Sequence, residues 1–138
     1  MNKDELKKVL PHREPMLLID EAELIDGIST AKYTVRGDEF FLQGHFPGHP
    51  VVPGVILCEM MGQSACLLTE RDGGSFTPYF AALNNVRFKQ KVVPGDTVVF
   101  KSELVTRKGT IYIVKSAGYV KDVLCVCGDL SFAVIKGE

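Results

Sequence analysis

The sequence has almost no net charge and no long apolar run. Its 138 residues carry a formal net charge of −1 with neutral histidines, which argues against a general attraction to nucleic acid. No apolar stretch approaches the roughly 20 residues that a membrane-spanning helix needs. The first ten residues, MNKDELKKVL, mix acids with lysines and so lack the apolar segment of a secretory signal. We therefore expect a cytoplasmic protein that binds neither nucleic acid nor a membrane.

Motifs for binding metals, phosphates and nucleotides are also missing. The sequence contains no phosphate-binding loop, no dinucleotide fingerprint and no Gly-x-Ser-x-Gly elbow. Zinc sites usually combine Cys-x-x-Cys or Cys/His pairs near turns. The four cysteines lie within apolar segments instead: Cys58, Cys66, Cys125 and Cys127. We expect them to be small, reduced, buried side chains, and we expect no metal and no cofactor.

Turn residues divide the chain into elements of one domain, residues 1–138. A short helix at 3–9 ends at Pro11, and Gly73-Gly74 closes a longer helix at 55–70. The expected strands are 16–26, 28–35, 78–93, 97–109, 110–120 and 123–136. The longer helix is apolar nearly all round, which indicates a buried position. A buried helix wrapped by an antiparallel sheet predicts an α+β domain, and an open edge strand favours a homodimer.

Two residues have the position and chemistry of an acid and a base. Glu59 lies in the middle of the helix expected to be buried, with Gln63 one turn later on the same face. A buried carboxylate is costly unless it is paired. His45 lies next to Gly44 in the long Pro/Gly-rich loop at 36–54, and histidine is suited to moving protons near neutral pH. Taken singly, either residue could be structural.

The start of the helix adds a third component. Pro53-Gly54 leads into the helix N-terminus, where backbone N–H groups are unpaired and the helix dipole is positive. Gly54 has no side chain that would keep a carbonyl oxygen from these N–H groups. A base, an acid and an oxyanion site within fifteen residues fit proton abstraction beside a carbonyl. His45 would take the α-proton and Glu59 would protonate the departing β-hydroxyl, while the apolar surroundings suit an aliphatic chain.

The central block of the sequence belongs to a recognisable pattern. FLQGHFPGHPVVPGV at 41–55 and CEMMGQ at 58–63 closely resemble the signature of the β-hydroxyacyl-acyl-carrier-protein dehydratases of bacterial type II fatty-acid synthesis. LPHR at 10–13 and VVPGD at 92–96 extend the match over nearly the whole chain. The resemblance implies the hot-dog fold, a curled antiparallel sheet around one long helix. It also implies a hydro-lyase that converts (3R)-hydroxyacyl-acyl-carrier-protein into the trans-2-enoyl product during fatty-acid elongation.

The same resemblance implies how the site is assembled. In the family the matching histidine and glutamate meet across a dimer interface, and the dimers commonly form a trimer of dimers. Gly54 then supplies a backbone donor to the thioester carbonyl, together with the region of Phe46. Gln63 orients the acid, and Tyr79 lies near the mouth of the acyl tunnel.

The acidic carrier protein requires a basic landing surface. Arg87, Lys89 and Lys91 alternate along one predicted strand and so share a face. A docking role and an ordinary solvated face are equally open for them. His12 and Arg13 also match the family motif, and we interpret them as anchors of the N-terminal segment.

Alternative functions stay open at this stage. A glutamate at position 59 favours plain dehydration, although some glutamate-bearing relatives also isomerise, so a dehydratase/isomerase or a dehydratase of a polyene pathway comes next. A thioesterase or a non-catalytic acyl-binding module is weaker. Gly62, where alanine is more usual, and Leu83-Asn84-Asn85, where an acidic residue often stands, depart from the family pattern. These departures concern the shape of the tunnel, and the sequence leaves chain length, final lipid product and dimer versus hexamer undecided.

Overall fold

A computed structural model of the chain describes residues 1–69 and 76–137, with one main helix against an antiparallel sheet. The helices are α1 (Lys3–Leu6) and α2 (Gly54–Ser64), with 3₁₀ turns at Phe40–Leu42 and Cys66–Leu68. The strands are β1 (Glu21–Ile25), β2 (Ile28–Thr34), β3 (Phe76–Phe88), β4 (Thr97–Lys108), β5 (Ile111–Val120) and β6 (Val123–Lys136). Two strands precede α2 and four follow it, as the sequence predicts.

The six strands form one curled sheet in the order β1-β2-β4-β5-β6-β3, and every neighbouring pair is antiparallel. Helix α2 lies against the concave side, where it contacts β2, β4 and β5. This is the predicted α+β hot-dog architecture. The order leaves β1 and β3 as the two edges, and β3 pairs with β6 alone.

A chain of buried hydroxyl groups joins the end of α2 to three strands. The Ser29 hydroxyl of β2 donates to the Ser64 carbonyl at 2.5 Å. The Ser64 hydroxyl is 2.9 Å from that of Ser102 in β4, which is 2.8 Å from that of Ser116 in β5. Because a buried hydroxyl is costly without a partner, these bonds fix the position of α2 along the sheet.

The long helix is shorter than predicted. It ends at Ser64, whose carbonyl accepts from the Ser29 hydroxyl, and the chain then tightens into the 3₁₀ turn. Gly73-Gly74 lie outside the described residues. The prediction of burial all round the helix is also wrong at its first turn, because Val55 is 76% exposed in the single chain. Met60 and Met61 are fully buried, as expected.

Two predicted strands also have different limits. The first strand begins at Glu21 rather than at 16, because the backbone groups of Met16 and Leu18 bond to the side chain of Gln63 in α2. Strand β3 ends at Phe88 rather than at 93, after its register with β6 shifts between Asn84 and Arg87. Both differences come from tertiary contacts that an alternating apolar pattern does not contain.

Three of the four cysteines agree with the sequence interpretation, and Cys127 is only partly buried. All four are free, and three of them are buried: Cys58, Cys66 and Cys125. Burial raises the pKa of the thiols of Cys58 and Cys125, which keeps them protonated and unreactive. Within the described ranges, the structure contains no helix with the length and apolar character needed to cross a bilayer.

Candidate active site

Glu59 lies in the middle of α2, and one of its carboxylate oxygens is already bonded. Its Oε2 accepts a hydrogen bond from Gln63 Nε2 at 2.9 Å. The spacing of four residues places both side chains on one face of the helix, as predicted. In the described part of the chain its other oxygen, Oε1, makes no hydrogen bond. The carboxyl group is thus held on one side and available on the other.

The amide of Gln63 has only one orientation that satisfies its neighbours. Its Oε1 accepts from the Leu18 N–H at 2.8 Å, so the amide nitrogen must face the other way. That nitrogen donates to the Met16 carbonyl at 2.8 Å and to Glu59. The Gln63 side chain is only 2% exposed and makes all three of these hydrogen bonds at once. It thereby connects Glu59 to the N-terminal segment.

His12 is the neighbour that sequence reasoning missed. Its Nε2 lies 3.3 Å from Glu59 Oε2, whereas the sequence interpretation made it only an anchor of the N-terminal segment. The contact joins residues 47 positions apart in sequence, so no local pattern could have indicated it. The only available signal was the place of His12 in the family-like LPHR block.

Glu59 opens into a largely apolar cavity of about 240 Å³. The cavity is lined by Leu10, His12, Glu59, Gly62, Gln63, Pro78, Tyr79, Phe80 and Phe132. Tyr79 and Phe80 come from the edge strand β3, so one wall of the cavity is the open edge of the sheet. The cavity therefore brings together three of the predicted site residues: Glu59, Gln63 and Tyr79.

A second, smaller cavity continues from the first. It has a volume of only about 20 Å³ and shares four lining residues with the first: Leu10, Gly62, Pro78 and Phe132. At the shared boundary, a Cβ added to Gly62 would lie 2.7 Å from Cζ of Phe80. The missing side chain at position 62 is what allows the Phe80 ring to lie against α2.

His45 lies in the loop before α2, clamped to Val51. The Val51 N–H donates to the His45 carbonyl at 2.8 Å, and the His45 Nδ1 lies 3.0 Å from the Val51 carbonyl oxygen. Because a carbonyl can only accept, Nδ1 carries the hydrogen and Nε2 of the neutral ring keeps its lone pair. The Phe46 ring stacks on the imidazole at a centroid distance of 4.2 Å. The ring nitrogen suited to act as a base is thus the free one.

A buried carboxylate holds the beginning of the His45 loop. Glu39 accepts hydrogen bonds from the Tyr33 hydroxyl at 2.7 Å and from the N–H groups of Arg36 and Gly37 at 2.9 and 2.8 Å. Burial acts to raise the pKa of Glu39, but these donors outweigh it and hold the pKa below its ordinary value. Burial and the hydrogen bond to Glu39 raise the pKa of the Tyr33 hydroxyl. The start of the loop is therefore tied to β2 through an ionised group.

Gly54 begins α2, as predicted, with unpaired backbone donors. The N–H groups of Ile56 and Leu57 both donate to the Pro53 carbonyl, and no side chain caps the helix. The N–H groups of Gly54 and Val55 are left free for a ligand. A Cβ at Gly54 would lie 2.9 Å from Cε1 of Phe88, so the glycine also makes room for the end of β3.

The predicted residues fall into two groups within one chain. Glu59, Gln63 and Tyr79 share the cavity. In the described part of the chain, neither His45 nor Phe46 nor Gly54 is among the residues that line it. The basic residues predicted to dock a carrier protein are exposed at and after the end of β3: Arg87, Lys89 and Lys91.

Comparison with known sequences gives consistent matches over nearly the full length. A family model described as a FabA-like domain matches residues 10–128. The 3-hydroxyacyl-[acyl-carrier-protein] dehydratase FabZ of Clostridium perfringens is 39% identical over 137 residues, which is 97% of this chain and 99% of that protein. The enzyme of the same name from Caldicellulosiruptor bescii is 41% identical over 138 residues, covering 96% of this chain and 98% of that protein.

Solved structures of low sequence identity share the fold. The dehydratase heterocomplex ApeI:P from Xenorhabdus doucetiae superposes with a TM-score of 0.80 at 19% identity, over 95% of this chain and 91% of that one. A thioesterase from Haemophilus influenzae gives a TM-score of 0.61 at 20% identity, over 86% and 78% of the two chains. At such identities the likeness concerns the fold alone.

Proposed function

We infer the function from one premise: the chain belongs to the FabA-like domain family, and its relatives over nearly the full length are 3-hydroxyacyl-[acyl-carrier-protein] dehydratases. It is a hydro-lyase that removes water from a 3-hydroxyacyl-acyl-carrier-protein in fatty-acid synthesis. The observation that carries the assignment is Glu59, a carboxyl group in an apolar cavity with one oxygen held by the Gln63 amide and the other open.

Glu59 is the general acid in this proposal. The proton on its free oxygen, Oε1, passes to the β-hydroxyl of the substrate, and the C–O bond breaks to release water. The electron pair of the α C–H bond forms the new double bond. The carboxylate left behind is stabilised by the donors on Oε2, and Gln63 keeps that oxygen facing away from the substrate.

His45 is the base, supplied by a second copy of the chain. Its free Nε2 takes the α-proton while the Val51 carbonyl holds the Nδ1 hydrogen and stabilises the imidazolium that forms. The cavity of Glu59 does not include His45 among the described residues of the same chain. If each of two chains contributes one of these residues, the acid and the base can act on the same substrate although they do not share a cavity within one chain.

The edge of β3 is the proposed dimer interface. Among the described residues this strand of 13 residues has no neighbour on its outer side, and four of its large apolar side chains are exposed: Tyr79, Phe80, Leu83 and Phe88. A long apolar edge with unpaired backbone groups is unfavourable in water. Pairing with a second β3 would satisfy that edge and close the open wall of the cavity.

The helix start and the apolar cavity provide for the rest of the substrate. The free N–H group of Gly54 is suited to bind the thioester oxygen as negative charge develops on it. The cavity beside Glu59 takes the first part of the aliphatic chain in this proposal. Phe46, exposed beside His45, lines the approach from the partner's side.

The proposed docking surface for the carrier protein is a set of exposed basic residues at and after the end of β3. Arg87, Lys89 and Lys91 are exposed basic residues that follow the dimer edge. An acidic carrier would be attracted to them without any change in the small net charge of the chain. Charge reversal at these positions should raise KM for the carrier-bound substrate and leave KM for a small thioester analogue unchanged.

The reaction is tested with (3R)-hydroxydecanoyl carrier protein and mass spectrometry of the acyl product. We expect loss of one water and a trans-2-enoyl product. A cis-3 product would establish the dehydratase/isomerase instead, and release of free acid would establish a thioesterase. An unchanged substrate that nevertheless stays bound would support the acyl-binding module and refute catalysis. The mass of the native assembly then distinguishes a dimer from a trimer of dimers.

A further inference from the structure

His12 has a contact with Glu59 for which its anchoring role gives no reason. It lies in the irregular segment between α1 and β1, and its Nε2 is 3.3 Å from Glu59 Oε2. It also lines the cavity that contains the acid. Anchoring of the same segment is already achieved elsewhere: Gln63 bonds Met16 and Leu18.

The other ring nitrogen shows which form of His12 the site favours. Its Nδ1 is buried and has no hydrogen-bond partner in the described part of the chain. An imidazolium would have to bury an N–H at that position without an acceptor, which is unfavourable. The neutral ring with its hydrogen on Nε2 leaves only a lone pair at that position, and it directs the Nε2 hydrogen to the side of the ring that lies 3.3 Å from Glu59 Oε2.

The two contacts of Glu59 fall on the same oxygen. Gln63 Nε2 donates to Oε2 at 2.9 Å and His12 Nε2 lies 3.3 Å from the same atom, which leaves Oε1 as the oxygen to carry and release the proton. A hydrogen bond to a carboxyl oxygen strengthens as that group becomes negatively charged. The donors are therefore placed to favour the state in which the acid has given its proton away.

We propose that His12 is a positioning residue for the general acid: its Nε2–H holds Glu59 Oε2 and stabilises the charge that develops as Oε1 releases its proton. This inference rests on the proposed role of Glu59. His12 need not touch the substrate or exchange a proton in the reaction, since it acts through Glu59. The titratable groups that line this cavity in the described residues are His12, Glu59 and Tyr79.

The test compares His12→Gln with His12→Phe. A glutamine amide nitrogen can take the place of imidazole Nε2 as a donor, whereas phenylalanine retains the ring and loses the donor. We expect His12→Phe to lower kcat by tenfold to a hundredfold, on the order expected for a donor to a developing charge, with little change in KM. His12→Gln should recover most of that loss. Glu14→Gln, a change of an exposed group in the same segment, should leave kcat unchanged.

The outcomes separate this inference from the function it rests on. Equal kcat for His12→Gln and His12→Phe would overturn it, as would a loss confined to KM and to thermal stability, because a merely structural residue has no preference for a donor. Glu59→Gln is measured in the same assay. If Glu59→Gln kept wild-type turnover, the proposed function would fail with it. If Glu59→Gln were inactive while His12→Phe stayed fully active, only the role of His12 would be refuted.

Discussion

The Glu59 and His45 regions are built in different ways. Glu59 lies on a helix, and its carboxyl group is bonded to side chains from two segments of its own chain. His45 lies in a loop, and its ring is held through a backbone carbonyl of the same loop. The Glu59 region includes a cavity for a substrate, and the His45 region leaves the stacked Phe46 ring exposed. The difference is consistent with the proposed function, in which one chain supplies the acid and a second chain supplies the base.

The largest effect should come from removing either group. We expect Glu59→Gln and His45→Ala each to lower kcat on the order of 10²–10⁴ while the fold is retained, because each removes one partner of the proton transfer. Steady-state turnover of the carrier-bound substrate measures the loss, and circular dichroism controls for folding. Wild-type turnover in either variant would remove that residue from the mechanism.

Mixing the two inactive variants distinguishes a shared site from one within a single chain. Random exchange of subunits makes half of the dimers mixed, and each mixed dimer has one intact site of two, so about a quarter of the wild-type activity should return. If both residues acted within one chain, no activity would return despite exchange, which mass spectrometry of labelled subunits verifies.

The second prediction compares the two edges of the sheet. Leu83→Lys on β3 should convert the dimer to a monomer and abolish most of the activity, because each chain would bring a charged side chain into an apolar interface. Leu24→Lys on β1 is the matched control, since that leucine is exposed to a similar degree, 54% against 44%, on a short edge with acidic residues. Sedimentation and turnover measure both variants. Dissociation by the β1 change, or none by the β3 change, would place the interface elsewhere.

The sequence predicts the two halves of the site but not their surroundings. Glu59 and Gln63 could be paired because helical spacing brings them to one face, and His45 could be found because glycine and proline constrain its loop. The contact of His12 with Glu59 could not be predicted, and neither could the end of α2 at Ser64. Each depends on a contact between segments that are distant in sequence. The exposure of Val55 was missed because an apolar pattern does not distinguish a buried core from a surface that awaits a partner.

The third prediction concerns the anchor of the His45 loop. Glu39→Gln should lower the free energy of unfolding by about 1–3 kcal/mol at neutral pH, because an amide cannot accept from all three donors of the site. The pKa of Glu39 is lower in the folded protein than in the unfolded chain. Ionised Glu39 therefore stabilises the folded protein at pH values above the pKa that it has in the unfolded chain. This stabilisation disappears as the pH falls through the pKa that Glu39 has in the folded protein. Urea denaturation measures the free energy of unfolding of the wild type and of Glu39→Gln, and the two values should become equal in acid.

An exposed carboxyl group nearby provides the control for Glu39. Asp38 is next in sequence, its side chain is 78% exposed, and it pairs with Arg36 at the surface. Asp38→Asn should change the free energy of unfolding by less than about 0.5 kcal/mol, both at neutral pH and in acid. If Glu39→Gln and Asp38→Asn behaved alike, the buried network would not be what holds the start of the loop.

The smallest predicted effect lies inside the Glu59 cavity. A methyl group at position 62 would come within 2.7 Å of the Phe80 ring, so Gly62→Ala must displace that ring at the boundary between the two cavities. Glu59 would be untouched, and short acyl chains should react normally. Acyl chains long enough to reach past Gly62 would meet the displaced ring, so their kcat/KM should fall by roughly severalfold. Adding Phe80→Leu to Gly62→Ala should restore long chains, because the smaller side chain removes the collision. A uniform loss at every chain length would instead mean that the ring supports the acid.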